Sequence, residues 1–185
     1  MIKINLKEVI ENLIDPFLNA GKTSLDLRKK GLIKKIKPDN TPVSNGDLEI
    51  NKIITKKISE LTPDIPIISE ETSDNKKIKD LKNFWLIDPI DGTYDYINNL
   101  EEFTINAGLI IEKRPEAGII YAPAKKRLFF SYGENLAYEL LNEQATKLNI
   151  LKNFDKDEIK FVSYSNKIKP EIEKIHKALN VKEFV

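Results

Sequence analysis

The chain has 185 residues, enough for one sizeable domain or for one domain and part of a second, and its 41% of hydrophobic residues can supply a packed core. Its 30 basic and 29 acidic residues leave a net charge of +1, which excludes a protein that coats polyanions through bulk positive charge. It has no cysteine, which excludes disulfides, thiolate zinc sites and cysteine nucleophiles, and only one histidine.

Two helices are predicted in the first third of the chain. Apolar residues recur at helical spacing from Ile2 to Lys30, and Gly31 is a typical C-terminal stop. Because Pro16 cannot donate a backbone hydrogen bond, we expect a kink or a restart of the helix there. After a turn-rich stretch from Lys37 to Asn45, a second helical pattern runs from Leu48 to Leu61.

Short apolar segments bounded by polar, proline or glycine residues come next, and this pattern predicts strands. The predicted strands cover Ile65 to Ser69, Phe84 to Ile90, Phe103 to Glu112, Ala117 to Tyr121 and Arg127 to Tyr132. Further predictions are a strand from Ile159 to Tyr164, a helix from Pro170 to Leu179 and a strand from Val181 to Val185. Helices followed by consecutive strands indicate an α+β fold with helices layered on a largely antiparallel sheet.

The stretch from Trp85 to Thr93 is the most informative for chemistry. An apolar strand runs into two carboxylates, Asp88 and Asp91, on either side of Pro89 and Ile90. A turn of this kind can aim both carboxylates and the backbone carbonyl between them at one point, which suits a hard cation such as Mg²⁺. The alternative is a capped turn before a helix, with Asp91 or Thr93 as the cap.

Two other segments carry acids at the ends of predicted elements. The strand that begins at Ile65 ends in Glu70 and Glu71, and neighbouring strands that end alike would bring Glu70 to Asp88 and Asp91. The alternative is a pair of exposed acids in a loop. Asp47 lies at the start of the second helix, where an acid favoured by the helix dipole is the simpler explanation.

These segments, in this order, resemble the lithium-sensitive, magnesium-dependent phosphatases that include inositol monophosphatase. The string Asp88-Pro89-Ile90-Asp91-Gly92-Thr93 matches the most specific motif of that family, and Ser69-Glu70-Glu71 lies a short distance upstream, as the family pattern requires. Within the family, the chain is most similar to bacterial 3'(2'),5'-bisphosphate nucleotidases. Three strings favour that branch: Asp39 to Ser44, Glu102 to Asn106 and Ile120 to Pro123.

The resemblance implies a role for each matching residue. Glu70, Asp88, Asp91 and the Ile90 carbonyl would hold two or three Mg²⁺ ions, with Mn²⁺ as an alternative. Asp47, Thr93 and Glu71 would be catalytic: Asp47 accepts the Thr93 hydroxyl hydrogen, Thr93 orients and deprotonates the attacking water, and Glu71 polarises a further water. The residues that would bind substrate are Glu70, Ile90, Asp91, Gly92 and Thr93, the last two through backbone N–H groups.

The implied activity is hydrolysis of adenosine 3',5'-bisphosphate to AMP and phosphate. An inositol-phosphate or sugar-phosphate phosphatase of the same family is the first alternative. The second is an inactive member that only binds metal or a partner, and one departure from the family pattern motivates it. The family takes another metal-ligating aspartate from a C-terminal Trp-Asp motif, but Trp85 is the only tryptophan here and precedes the metal turn.

We therefore expect a truncated family member with a metal-binding catalytic domain at 1–135 and the start of an incomplete C-terminal α/β domain at 136–185. The expected partner is a small phosphorylated substrate, without nucleic acid, and a homo-oligomer could form through the incomplete sheet. The apolar runs are too short to cross a bilayer, which predicts a cytoplasmic protein, with peripheral attachment to the inner membrane as an alternative. His176 is expected at the surface, and Lys125 in a solvated hairpin turn that could attract an anionic substrate.

Overall fold

The structure, a computed structural model, describes residues 4–38, 40–72, 81–149, 160–161, 168–179, 181 and 183–184. The chain divides into two compact units, Met1–Leu148 and Asn149–Val185. The predicted domains at 1–135 and 136–185 stay a prediction, although the first unit contains two strands that follow residue 135. Asp39, which belongs to one of the family strings, lies outside the described residues.

Two long helices cover one face of the first unit. Helix α1 spans Leu6–Lys30 and ends at Gly31, whose φ is 97°. It continues through Pro16, so the predicted restart is wrong. The lost hydrogen bond is offset by burial, since Leu13, Phe17 and Ala20 are fully buried on the same helix. Helix α2 spans Asn45–Leu61, three residues longer at its start than the predicted pattern.

The segment between the two helices contains two short strands. Strands β1 (Lys34–Ile36) and β2 (Pro42–Ser44) pair antiparallel through three residue pairs. All three residues of β1 are exposed, which explains why hydrophobic periodicity does not predict this hairpin.

A seven-stranded sheet forms the centre of the first unit. Its strands, in chain order and in sheet order, are β3 (Ile67–Ser69), β4 (Phe84–Asp91), β5 (Thr104–Ile111), β6 (Arg114–Ala122), β7 (Arg127–Ser131), β8 (Ala137–Leu141) and β9 (Gln144–Lys147). Only β3 and β4 are parallel, so the predicted largely antiparallel sheet is confirmed. A five-residue helix, α3 (Thr93–Ile97), follows β4.

The core lies between α1, α2 and one face of the sheet. Alternate residues of β4 and β5 supply the sheet side of it, because successive side chains of a strand point to opposite faces. Fully buried members from both sides are Ile10, Leu13, Phe17, Ile50, Ile54, Ile58, Trp85, Ile105 and Leu109. The Trp85 indole N–H also donates to the Thr62 hydroxyl at 2.9 Å, which joins the end of α2 to β4. The predicted α+β architecture is therefore confirmed.

In the second unit, β10 (Lys160–Phe161) and β11 (Glu183–Phe184) form a short parallel pair, and α4 spans Pro170–Ala178. His176 is only 9% exposed, so the predicted surface position is wrong. It lies four residues after the half-buried Ile172, on the same helix face, and that face is the one turned away from solvent. No helix in the described ranges is long and apolar enough to span a membrane.

Candidate active site

A β-bulge at the end of β4 brings two carboxylates to one face of the sheet. Asp88 pairs with Asn106 of β5, and Asp91 pairs with Thr104, so three steps along β4 match two steps along β5. In a regular strand, residues three apart would point to opposite faces. The extra residue in β4 shifts the alternation of side chains by one position. Asp88 and Asp91 therefore point to the same face of the sheet as Asn106 and Thr104.

The backbone after Asp91 turns sharply at Gly92. Gly92 is left-handed, with φ 88° and ψ 39°, and its carbonyl accepts from the Tyr96 N–H at 2.9 Å in α3. A Cβ at this position would lie 2.6 Å from the Glu102 backbone oxygen. Both the backbone conformation and the contact require glycine here, which places Thr93 directly beyond the carboxylates.

Thr93 and Asp47 are in contact, as the family pattern implies. The Thr93 hydroxyl oxygen lies 3.1 Å from Asp47 Oδ1 and 3.0 Å from the Ile90 carbonyl oxygen. A hydroxyl has one hydrogen, so these two acceptors compete for it. The Thr93 hydroxyl would therefore compete with a cation for the Ile90 carbonyl oxygen, which is one of the predicted cation ligands.

Asp47 also caps α2, which was the simpler explanation for it. Its Oδ2 accepts from the Ser44 N–H at 2.8 Å and from the Ser44 hydroxyl at 2.6 Å, completing a capping box. Asp47 is 1% exposed. Its two oxygens thus have separate partners, and the capping role and the contact with Thr93 coexist.

Glu70 and Glu71 are held by Lys37, a site residue that the sequence analysis missed. The Lys37 ammonium donates to Glu70 Oε1 at 3.0 Å and to Glu71 Oε1 at 2.7 Å. The Glu71 side chain is 5% exposed and that of Glu70 is 47% exposed. Burial acts to lower the pKa of Lys37, but the hydrogen bonds to Glu71 and Glu70 outweigh it and raise that pKa. For Glu71, burial raises the pKa and outweighs the opposing effect of Lys37.

Asp88 is a carboxylate in surroundings that suit a cation. Burial, followed by the charges of Glu70 and Asp91, raises the pKa of Asp88 to about 7. Its Oδ1 is buried and accepts no hydrogen bond from the described residues. A buried acceptor among negative charges is stabilised by a positive ion, so the residues present fit a divalent metal.

The carboxylates do not form a finished metal cluster. Within the described residues, no group of three or more His, Cys, Asp or Glu side chains is arranged to hold a metal ion. The structure brings Asp47, Thr93 and the Ile90 carbonyl together, joins Glu70 and Glu71 through Lys37, and sets Asp88 beside Asp91 on one sheet face. The predicted ligand set of Glu70, Asp88, Ile90 and Asp91 stays a prediction.

Lys125 lies in the turn between β6 and β7, but it is not a free cation for substrate. Its ammonium lies 3.1 Å from Glu101 Oε2 and 3.2 Å from Glu102 Oε1. These two carboxylates offset the charge that was expected to attract an anion.

Comparison with known proteins agrees with this geometry. Residues 5–180 match the inositol monophosphatase family. A protein described as 3'(2'),5'-bisphosphate nucleotidase CysQ from Buchnera aphidicola is 36% identical over 161 residues, covering 81% of this chain and 61% of the relative. The chain thus spans less than two thirds of that relative's length.

Solved structures share the fold. CysQ from Bacteroides thetaiotaomicron, described as a bacterial member of the inositol monophosphatase family, aligns with a TM-score of 0.68 at 24% identity, over 97% of this chain and 72% of that one. An IMPase/NADP phosphatase complexed with Mg²⁺ and phosphate aligns with a TM-score of 0.75 at 17% identity, over 98% and 67%. The chain belongs to the inositol monophosphatase family.

Proposed function

We propose that the protein is a Mg²⁺-dependent phosphomonoester hydrolase that converts adenosine 3',5'-bisphosphate to AMP and phosphate. The observation that carries the proposal is the contact of Thr93 with Asp47, one residue beyond the left-handed turn at Gly92 and two beyond Asp91. A hydroxyl held by a buried carboxylate beside a cluster of acids suits activation of water near a hydrated cation.

Glu70, Asp88, Asp91 and the Ile90 carbonyl would hold the cation, with two or three Mg²⁺ ions in the complete site and Mn²⁺ as a substitute. The unpartnered Asp88 Oδ1 supports this assignment. Bound Mg²⁺ would act as a Lewis acid on the phosphate and on the attacking water. The Lys37 ammonium lies 3.0 Å from Glu70 Oε1, so it would compete with a cation for that oxygen.

The protein's own residues would move the proton. As the water oxygen attacks phosphorus and the bond to the leaving ribose oxygen breaks, the water proton passes to Thr93 Oγ1. The Thr93 hydrogen passes to Asp47 Oδ1, and the leaving oxygen takes a proton from solvent. The Gly92 and Thr93 N–H groups would bind the phosphate, and Glu71, held by Lys37, would polarise a further water.

The nucleotide substrate rests on similarity. The relative from Buchnera aphidicola carries the nucleotidase name at 36% identity, and two of the strings that favour this branch, from Glu102 to Asn106 and from Ile120 to Pro123, lie within the described sheet region. The second candidate, an inositol-phosphate or sugar-phosphate phosphatase, is favoured by the description of the matching family. A chain that only binds metal or a partner is the third.

Three further predictions belong with this proposal. The division into domains at 1–135 and 136–185 is kept, as is the cytoplasmic location.

We also keep association of two copies through the incomplete sheet. It is supported by two apolar side chains close together on one face of the sheet, Leu86 and Ile120, which are 52% and 47% exposed. Light scattering at increasing protein concentration tests this association, and Ile120→Lys should lower the mass.

The test is Mg²⁺-dependent phosphate release from adenosine 3',5'-bisphosphate and from an inositol phosphate. Thr93→Ala should lower the rate about 100-fold or more, the typical effect of losing a general acid or base. Thr55→Ala is the matched control, because Thr55 also donates to a backbone carbonyl but lies within α2. Faster release from the inositol phosphate would favour the second candidate. Release from neither substrate would overturn the enzyme proposal.

A further inference from the structure

Asn106 lies beside the carboxylate pair on the neighbouring strand. It lies on β5 directly opposite Asp88, on the sheet face that also carries Asp91. Its Nδ2 donates to Asp91 Oδ2 at 3.2 Å. Asn106 therefore links β5 to the carboxylates at the end of β4.

The orientation of the Asn106 amide follows from this contact. An amide oxygen facing an ionised carboxylate would be repelled, so the NH₂ group must point to Asp91. The amide oxygen then points elsewhere, and Asn106 Oδ1 is buried without a hydrogen-bond donor among the described residues. Asp88 Oδ1 is also buried without a hydrogen-bond donor among the described residues.

A buried acceptor that lacks a donor lowers stability. Here two such oxygens belong to residues that face each other across β4 and β5. A leucine at position 106, which has the same number and branching of side-chain heavy atoms, would avoid this cost on the side of Asn106. The Nδ2 donor adds little to stability, because Asp91 is exposed and water can replace that donor. Stability of the sheet therefore gives little reason for an amide at this position, whereas a hydrated cation beside Asp88 and Asp91 does.

We propose that Asn106 is a positioning residue of the cation site: Nδ2 fixes the Asp91 carboxylate for the ion, and the hydrated ion supplies the donor that Oδ1 lacks. This inference rests on the proposed function, because it needs a cation at Asp88 and Asp91. It adds a positioning residue of β5 to a site whose proposed ligands come from β4 and from the residue after β3.

Titration calorimetry with Mn²⁺ and Mg²⁺ on wild type and Asn106→Leu tests the proposal. The variant should bind both ions about 10-fold more weakly or worse, as is usual when a partner of a metal ligand is removed. Its melting temperature in EDTA should equal or exceed that of wild type, because the variant lacks one unpaired buried oxygen. Its Mg²⁺ activation constant should rise more than its maximal rate falls.

Asn83→Leu is the matched control. Asn83 Oδ1 accepts from the Glu112 N–H at 2.8 Å, so this asparagine joins neighbouring strands and has a structural partner. Its replacement should lower the melting temperature in EDTA and leave ion affinity unchanged. If Asn106→Leu does not fold, Asn106→Ser, whose shorter hydroxyl cannot replace the amide, is measured against the same expectations.

The outcomes separate the two proposals. Wild type that binds Mn²⁺ with the same affinity as Asn106→Leu overturns the inference and leaves the proposed function standing. A lower melting temperature in EDTA together with unchanged affinity assigns Asn106 a structural role and also overturns it. Wild type that binds neither ion overturns the proposed function and the inference with it.

Discussion

Asp47 has separate hydrogen-bond partners for its two carboxylate oxygens. Its Oδ2 accepts from Ser44 at the start of α2, and its Oδ1 accepts from Thr93. A carboxylate can accept on both sides at once, whereas an amide offers one oxygen and one NH₂ group. The residue type is thus constrained by both partners.

Asp47→Asn should therefore lose both activity and stability. We expect phosphate release to fall about 100-fold or more, because one proton acceptor is lost, and the free energy of unfolding to fall by about 1 kcal/mol, as for a weakened N-cap. Ser44→Ala removes the cap partner and keeps the Thr93 contact, so it should lose stability and retain turnover. An Asp47→Asn protein with wild-type turnover would show that the Thr93 contact plays no part in hydrolysis.

Asp88 should make the metal-free protein less stable as pH rises. Its pKa is raised in the folded protein from the ordinary value of 3.8 to about 7, mainly by burial and then by Glu70 and Asp91. Between these two values the folded state holds a proton that the unfolded state has released, so stability falls with rising pH through that window. Melting temperatures in EDTA across the window should fall more for wild type than for Asp88→Asn. The same dependence of melting temperature on pH in both proteins would contradict the raised pKa of Asp88.

The residues that the sequence analysis missed at the site are those whose role depends on contacts distant in sequence. Lys37 is 33 residues from Glu70, and the two meet through the β1–β2 hairpin, which carries no apolar pattern. Asn106 reaches Asp91 only through the register of β4 and β5. The proximity of Asp88, Asp91, Gly92 and Thr93 could be predicted, because a single turn contains all of them.

At the scale of elements, three helices meet at one buried tyrosine. Tyr96 of α3 is fully buried, and its hydroxyl donates to the Ser24 carbonyl of α1 at 2.7 Å. Its ring lies against Gly46 in the first turn of α2, where a Cβ would be 2.5 Å from the Tyr96 hydroxyl oxygen. Gly46 precedes Asp47, so this contact helps to fix the position of the Asp47 carboxylate.

Gly46→Ala should be destabilising even though alanine favours helices. Overpacking of this kind typically costs about 1–3 kcal/mol, more than the gain in helix propensity. Gly108→Ala is the opposite case, because a Cβ there meets nothing within 4 Å. That change in a strand should raise stability by about 0.5–1 kcal/mol. Chemical denaturation of both variants measures the difference, and equal effects would contradict the packing argument.

The elements most open to prediction were those with a buried, periodic face. The predicted strands around Trp85, Ile105, Ile119 and Phe130 all appear in the sheet, and each of these side chains is buried. Strands β8 and β9 were not predicted, since β9 is wholly exposed and β8 has no fully buried residue. Backbone pairing with β7 holds them, and periodicity carries no signal for pairing alone.

At the scale of the whole molecule, the candidate site depends on elements far apart in the first unit. Asp47 comes from α2, Glu70 follows β3, Asp88 and Asp91 end β4, and Thr93 begins α3. Partial unfolding of any of these elements would separate the residues of the proposed cation site. Because an ion that binds only the folded state shifts the folding equilibrium, metal binding and stability of this unit should be coupled.

Mg²⁺ should therefore raise the melting temperature of the wild-type chain, and EDTA should reverse the rise. A free ion concentration about 100 times the dissociation constant adds about 2.7 kcal/mol to the free energy of unfolding. Asp91→Asn should lose most of this effect, since it removes a charge from the pair on β4. Asp15→Asn, which changes an exposed acid of α1, should keep it. Differential scanning calorimetry with and without Mg²⁺ decides the matter: equal stabilisation of wild type and Asp91→Asn would show that the ion binds elsewhere.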